Sequence, residues 1–180
     1  MAAKRWDEII ARIGGLGGAR VAEVGVWRGK TSEKVLAACP WAHLTLVDPW
    51  RAGEPGDSWH DSGSRMARQP QAEVDKILAG VQAMAKRYSP RVTIVRALST
   101  IAAAEQPDGH FDLVFLDGDH SQLAVLADIQ AWLPKVREGG WIGGHDFGSE
   151  RFPGVRSAVL MHWDLERVEL GANATWWVRV

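Results

Sequence analysis

Residues 111–116 read Phe-Asp-Leu-Val-Phe-Leu, apolar at five of six positions, and Asp117-Gly118-Asp119 follows at once. A strand with one wet face would alternate polar and apolar residues. A strand apolar throughout must be covered on both faces, as in a parallel sheet clad by helices. The flanking chain agrees, because short apolar runs alternate with stretches of helical spacing. Strands are expected at residues 20–24, 43–47, 91–95, 111–116 and 136–143, the last after a turn at Gly139-Gly140. Thr31 or Ser32 can cap a helix running to about Ala38. A helix is expected over residues 65–88, with Val74, Ile77, Leu78, Val81 and Met84 on one face. Shorter helices follow at 97–104, 122–133 (capped by Ser121) and 154–163. Two final strands, about 165–170 and 174–180, are joined by Gly171-Ala172-Asn173, a hairpin signal.

Strand-helix alternation predicts an α/β fold: a three-layer, Rossmann-like arrangement whose mostly parallel sheet carries an antiparallel C-terminal hairpin strand. Its 180 residues suit one domain with one core, spanning 1–180. Twenty-one basic against 22 acidic side chains leave a net charge of -1, which gives no electrostatic case for nucleic acid or an anionic membrane. Cys39 is the only cysteine, so no disulfide can form within the chain and a cytoplasmic location is expected. The N-terminal MAAKRWDEII is charged and amphipathic, unlike a signal peptide.

In such sheets ligands bind beyond the carboxyl ends of the strands. After the first strand comes Glu23-Val24-Gly25-Val26-Trp27-Arg28-Gly29. A dinucleotide loop needs a small residue where Trp27 stands, so that the backbone can approach a pyrophosphate. Glu23 would also repel phosphate. The loop suits a ligand with a positive end and no phosphate, and S-adenosylmethionine is one. Gly25 would let the backbone pass close to it, and Gly29 would let the helix pack tightly. Asp48 ends the second strand about 20 residues on, where a carboxylate can accept hydrogen bonds from a ribose diol. Each feature has a plainer reading: glycines that serve a turn, and an aspartate that caps one before Pro49.

The order ExGxxxG, VDPW, FDLVFLDGDHS and GGHDF resembles the class I S-adenosylmethionine-dependent methyltransferases. More closely, it resembles the small macrocin-type sugar O-methyltransferases, over about residues 20–180. The resemblance implies seven strands with the last antiparallel. It places Glu23 and Gly25 along the methionine part of the cofactor, Asp48 on the ribose, and the loop containing Leu98 and Ser99 against adenine. Val26, Trp27, Thr31, Pro49, Trp50 and Asp117 complete the expected cofactor contacts.

Methyl transfer is an in-line displacement, so the protein must orient the acceptor and, for a hydroxyl, remove its proton. Asp117 and Asp146, after the fourth and fifth strands, could hold a hard divalent cation such as Mg²⁺ through oxygen ligands. An unperturbed histidine near pKa 6.5 suits a general base. The resemblance makes Asp117 a metal ligand and catalytic residue and His120 the base. The acidic pair after the fifth strand becomes His145-Asp146, which puts His145 in the expected ligand set with Asp117 and Asp146. Glu54, Asp57 and Asp61 are unranked candidates for a further ligand, and residues 51–64, with Trp59 and His60, are expected to form a lid. His120 could instead be a packing histidine, and Asp119 a helix cap.

The leading function is therefore methylation of a hydroxyl on a small or sugar-like molecule, with S-adenosylmethionine as cofactor and a divalent cation as an option. N-methylation without metal, a nicotinamide-dependent oxidoreductase and a non-catalytic cofactor binder remain alternatives. The expected partner is a small-molecule acceptor, with a homodimer as an option and no nucleic acid or membrane.

Overall fold

The computed structural model describes residues 2–54, 56–57 and 67–180. Among the described residues seven strands form one sheet in the order β3-β2-β1-β4-β5-β7-β6. They are β1 (Arg20–Val24), β2 (His43–Val47), β3 (Val92–Val95), β4 (Phe111–Leu116), β5 (Val136–Gly144), β6 (Glu169–Leu170) and β7 (Trp176–Arg179). The first five are mutually parallel, while β7 pairs antiparallel with both β5 and β6. The strand order reverses beside β1, so the crevice beyond β1 and β4 is the topological switch point at which such sheets bind ligands.

Two apolar layers clothe the sheet. Helices α1 (Arg5–Ile13), α2 (Lys30–Ala38) and α3 (Gln71–Arg87) pack on one face. There Ile9, Val35, Leu36, Val74, Leu78 and Val81 meet Leu44, Leu46, Leu113 and Phe115. Helices α4 (Ser99–Ala104), α5 (Gln122–Trp132) and α6 (Pro153–His162) cover the other. Ala102, Val125, Ile129, Trp132 and Val159 there meet Ala22, Val24, Val114 and Ile142. Leu113 and Phe115 thus serve one layer and Val114 and Leu116 the other, which is why residues 111–116 are apolar throughout.

Several boundaries differ from the sequence reading. Helix α3 starts at Gln71, after Pro70, rather than at 65; residues 65 and 66 lie outside the described residues. Pro70 has an extended ψ of 145° and supplies the N-cap. Gly29, in the left-handed region at φ 69°, is the N-cap of α2, so Thr31 and Ser32 lie inside its first turn instead of capping it. Gly139 and Gly140 do not precede β5. They sit within it, where the pairing with β4 slips between Phe111 and Leu113 and Gly139 takes φ 72°. The penultimate strand shortens to two residues after a 3₁₀ turn at Leu165–Arg167. Helix α1, unassigned from sequence, buries Ile9 and Ile13. No described helix is long and apolar enough to cross a membrane.

Candidate active site

A cavity of about 250 Å³ opens at the carboxyl ends of β1, β2 and β4. Gly25, Trp27, Asp48, Pro49, Trp50, Leu98, Ser99 and Asp117, all named from the sequence as candidate cofactor contacts, line it. Glu23, Val26, Gly29 and Thr31 lie outside the lining, and the chain explains each. Gly29 faces Met84 and Val81 of α3, which an added Cβ would meet at 3.0 and 3.5 Å. Val26 and Thr31 are buried. Glu23 is buried and accepts a hydrogen bond from Ser32 Oγ of α2. Burial raises its pKa most, Ser32 opposes that, and the result is pushed up to about 8. A carboxyl group held neutral at pH 7 no longer repels phosphate, so one sequence argument against a nucleotide loses its force. Trp27 remains as the other.

Gly25 is required by the protein itself. At φ 88°, a Cβ there would stand 2.2 Å from the Asp117 carbonyl oxygen. The ends of β1 and β4 pass in near contact, and only glycine permits it.

Asp48 organises the two loops beside it. One carboxylate oxygen accepts the Trp27 N–H at 2.9 Å, and the other accepts the Trp50 N–H at 2.7 Å. Trp50, 1% exposed, donates its indole N–H to the Trp27 carbonyl at 2.9 Å. Burial raises the Asp48 pKa, and these backbone donors oppose it. Trp27 and Trp50 adopt φ of 52° and 39°, a conformation costing about 1–3 kcal/mol for a bulky residue, and this network holds them there.

Beyond the cavity, Asp117 of the β4 end and Asp146 of the β5 end converge with His120. One ligand atom from each lies within 4.8 Å of the others. His120 Nε2 is 2.9 Å from Asp146 Oδ2 and 3.6 Å from Asp117 Oδ1. Its ring stacks on Phe152, centroids 4.2 Å apart, and among the described residues neither ring nitrogen has an aligned hydrogen bond. Burial works to lower the His120 pKa, but the two carboxylates prevail and push it up to about 9. The two carboxylates thus favour the charged imidazole over the neutral one.

His145 Nδ1 lies 2.9 Å from Asp146 Oδ2 and 3.7 Å from Asp117 Oδ1, beside the cluster whose third corner is His120. Burial works to raise the Asp146 pKa, yet the two imidazoles hold it well below the usual carboxylate range. Asp146 sits at φ 61°, a third strained residue at a strand end. Asp119 accepts the Ser121 N–H at 2.8 Å, and Ser121 caps α5 by accepting from Ala124 N–H.

Arg5, absent from the sequence reading, reaches from α1 to pair with Asp117 Oδ2. No motif marks it; only the docking of α1 brings it here. Of the further acidic candidates, Asp57 pairs with Arg51 at 2.6 Å. Glu54 donates its backbone N–H to Asp57 Oδ2 at 3.1 Å. Asp61, Trp59, His60 and most of the expected lid over 51–64 lie outside the described residues.

A family model described as a methyltransferase domain matches residues 22–147. The chain belongs to that family. It is thereby an S-adenosylmethionine-dependent methyltransferase. Comparison with curated proteins gave no match. Among solved structures, the O-methyltransferase NovP is similar at TM-score 0.69 and 15% identity, over 97% of this chain and 78% of that one. The calicheamicin methyltransferase CalS11 gives 0.69 and 18%, over 97% and 76%. An O-methyltransferase from Bacillus cereus, solved in complex with SAH, gives 0.67 and 16%, over 100% and 82%. At these identities the likeness concerns the fold.

Proposed function

We propose that this methyltransferase transfers the methyl group of S-adenosylmethionine to a hydroxyl oxygen of a small, sugar-like acceptor. The observation that carries this reading is the cluster of Asp117, His120 and Asp146 beside the cavity. S-adenosylmethionine supplies the methyl group on a sulfonium, already a good leaving group. Asp48 is the residue for the ribose. Backbone N–H groups of Trp27, Trp50 and Val26 are directed at its two oxygens, which leaves a lone pair to accept from a ribose hydroxyl. Gly25 and Asp117 then flank the methionine end, which brings the sulfonium toward the β4 end, where an acceptor can meet it.

Two carboxylates and an imidazole are a donor set for a divalent cation of the Mg²⁺ or Mn²⁺ kind. The contacts of His120 fit that use: its Nε2 approaches both carboxylates, at 2.9 and 3.6 Å, without an aligned hydrogen bond among the described residues. Asp117, His120 and Asp146 would hold the ion, and His145 would fix the Asp146 carboxylate. Bound there, a cation would supply charge that favours an alkoxide over its alcohol. As a base, by contrast, His120 must first lose a proton that two carboxylates retain up to about pH 9. NovP is named an O-methyltransferase, and CalS11 is described as a TDP-rhamnose 3'-O-methyltransferase, which supports an oxygen acceptor on a sugar. The lone cysteine supports a cytoplasmic location.

The test is a screen of hydroxylated and aminated sugars with methyl-labelled cofactor, with and without chelator. Labelled O-methyl product that disappears in chelator supports the reading. N-methyl product that survives chelation overturns it.

A further inference from the structure

Behind the acidic cluster, buried nitrogen atoms are left over. Both ring nitrogens of His120, His145 Nε2 and Trp176 Nε1 are inaccessible and have no hydrogen-bond partner among the described residues. Buried donors and acceptors are rarely left unpaired, so each such atom calls for an explanation. A cation between Asp117 and Asp146 would account for His120 Nε2 and for no other. The three residues that carry these atoms border one small cavity of about 10 Å³, between the ends of β4 and β5 and helices α5 and α6. Trp176 pairs with Gly144 across β7 and β5, and a Cβ added at Gly144 would meet its Nε1 at 2.7 Å. The indole N–H thus lies against the end of β5, one residue before His145.

The hydrogen-bonding roles of these atoms define what fits the cavity. Trp176 Nε1 can only donate, so the occupant must accept. His145 Nδ1 faces the Asp146 carboxylate at 2.9 Å, and a carboxylate accepts, so Nδ1 carries the hydrogen and Nε2 of the neutral ring accepts. The occupant must therefore also donate. A metal ion cannot accept and a simple anion cannot donate, whereas water does both. A single water needs a cavity of about 10–15 Å³ and two to four polar partners, and this cavity offers both. We infer that one buried water joins Trp176 to His145 and His120 and fixes the tautomers of both imidazoles. The water accepts from Trp176 Nε1 and His120 Nδ1. It donates to His145 Nε2, and Asp128, which borders the same cavity, offers an acceptor for its second hydrogen. The consequence rests on the cation reading above. With hydrogen on both Nδ1 atoms, His145 holds the Asp146 carboxylate, and His120 Nε2 turns a lone pair toward the space between Asp117 and Asp146. Trp176 is then a positioning residue, acting on the cation ligands through the water.

Three measurements test this. A crystal structure of the metal-free wild type, at a resolution that shows ordered water, is expected to place one water within hydrogen-bonding distance of Trp176 Nε1, His145 Nε2 and His120 Nδ1. Nitrogen NMR of the histidine-labelled wild type is expected to show His145 with its hydrogen on Nδ1 and, with Mg²⁺ added, His120 likewise. Trp176→Phe keeps an aromatic ring and removes the N–H. In that variant His145 is expected to show both tautomers, and Mn²⁺ affinity by calorimetry is expected to fall about tenfold. A dry cavity overturns the inference, as does hydrogen on His145 Nε2 in the wild type. An unchanged tautomer and unchanged Mn²⁺ affinity in Trp176→Phe overturn it too. If that variant does not fold, the two wild-type measurements decide alone. A wild type that shows the water and the His145 tautomer but binds neither Mg²⁺ nor Mn²⁺ defeats the cation reading and leaves the water standing.

Discussion

The carboxylate of Asp48 accepts the backbone N–H of Trp27 at 2.9 Å, so the end of β2 fixes the shape of the loop after β1. Asp48 thus has a structural duty as well as its proposed one toward the ribose. Asp48→Ala should weaken S-adenosylhomocysteine binding by about 1.5–3 kcal/mol, the scale of a charged hydrogen bond. It should also lower the melting temperature without ligand, because Trp27 and Trp50 lose the bonds that hold them at positive φ. Calorimetry and thermal unfolding separate the two effects. Full affinity in the variant would remove Asp48 from the cofactor site.

Glu23 makes stability depend on pH. Its pKa is raised from 4.5 to about 8 in the folded protein, so between those values the folded state holds a proton that the unfolded chain has released. Stability therefore declines as pH rises from about 4.5 to 8. Glu23→Gln keeps an acceptor for Ser32 and removes the ionisation. Urea unfolding at pH 5.5 and 8.5 should show a smaller gap for the variant than for the wild type. An unchanged gap would mean that Glu23 ionises normally in the fold.

Gly25 and Gly80 should respond oppositely to alanine. At Gly25 a Cβ would overlap the Asp117–Gly118 peptide, and φ is 88°. Gly25→Ala should unfold the protein or lower its melting temperature severely. Gly80 lies in the middle of α3 with nothing within 4 Å of an added Cβ, so Gly80→Ala should stabilise by about 0.5–1 kcal/mol. Thermal unfolding of both variants checks the pair.

Cation binding should compete with protons. His120 binds its proton up to about pH 9, and a metal ligand must give that proton up. Mn²⁺ affinity should rise with pH through the neutral range and proton release should accompany binding, both measurable by calorimetry in buffers of different ionisation enthalpy. Asp146→Asn should abolish most of that affinity. His145→Gln should weaken it less, because His145 only steadies the carboxylate.

Arg5→Ala should raise cation affinity further, since the Arg5 guanidinium claims one oxygen of Asp117. A fall in affinity would show that Arg5 instead holds Asp117 in its binding position. The same titration reads both outcomes.

The alternation of strands and helices, the final hairpin and the residues at the strand ends were legible because each depends on local pattern. Phe111 to Leu116 must be covered on two faces, and Asp48, Asp117 and Asp146 must follow their strands. Helix α1 was missed because its neighbours give no motif, although Ile9 and Ile13 sit at helical spacing. Gly139-Gly140 was misplaced because a glycine pair within a strand signals a bulge as readily as a turn.

By itself the sequence determined the fold, the strand-end loops and the type of each group that reaches the crevice, since these follow from apolar period and from glycine and proline positions along the chain. Only the tertiary structure decided what those groups do to one another. Glu23 is pushed toward its neutral form because folding buries it against Ser32 of α2. His120 becomes charged because two strand ends bring Asp117 and Asp146 to it from residues 117 and 146. Arg5 joins the site from more than a hundred residues away. Burial and charge proximity are properties of distance in space, and no spacing along a sequence encodes them.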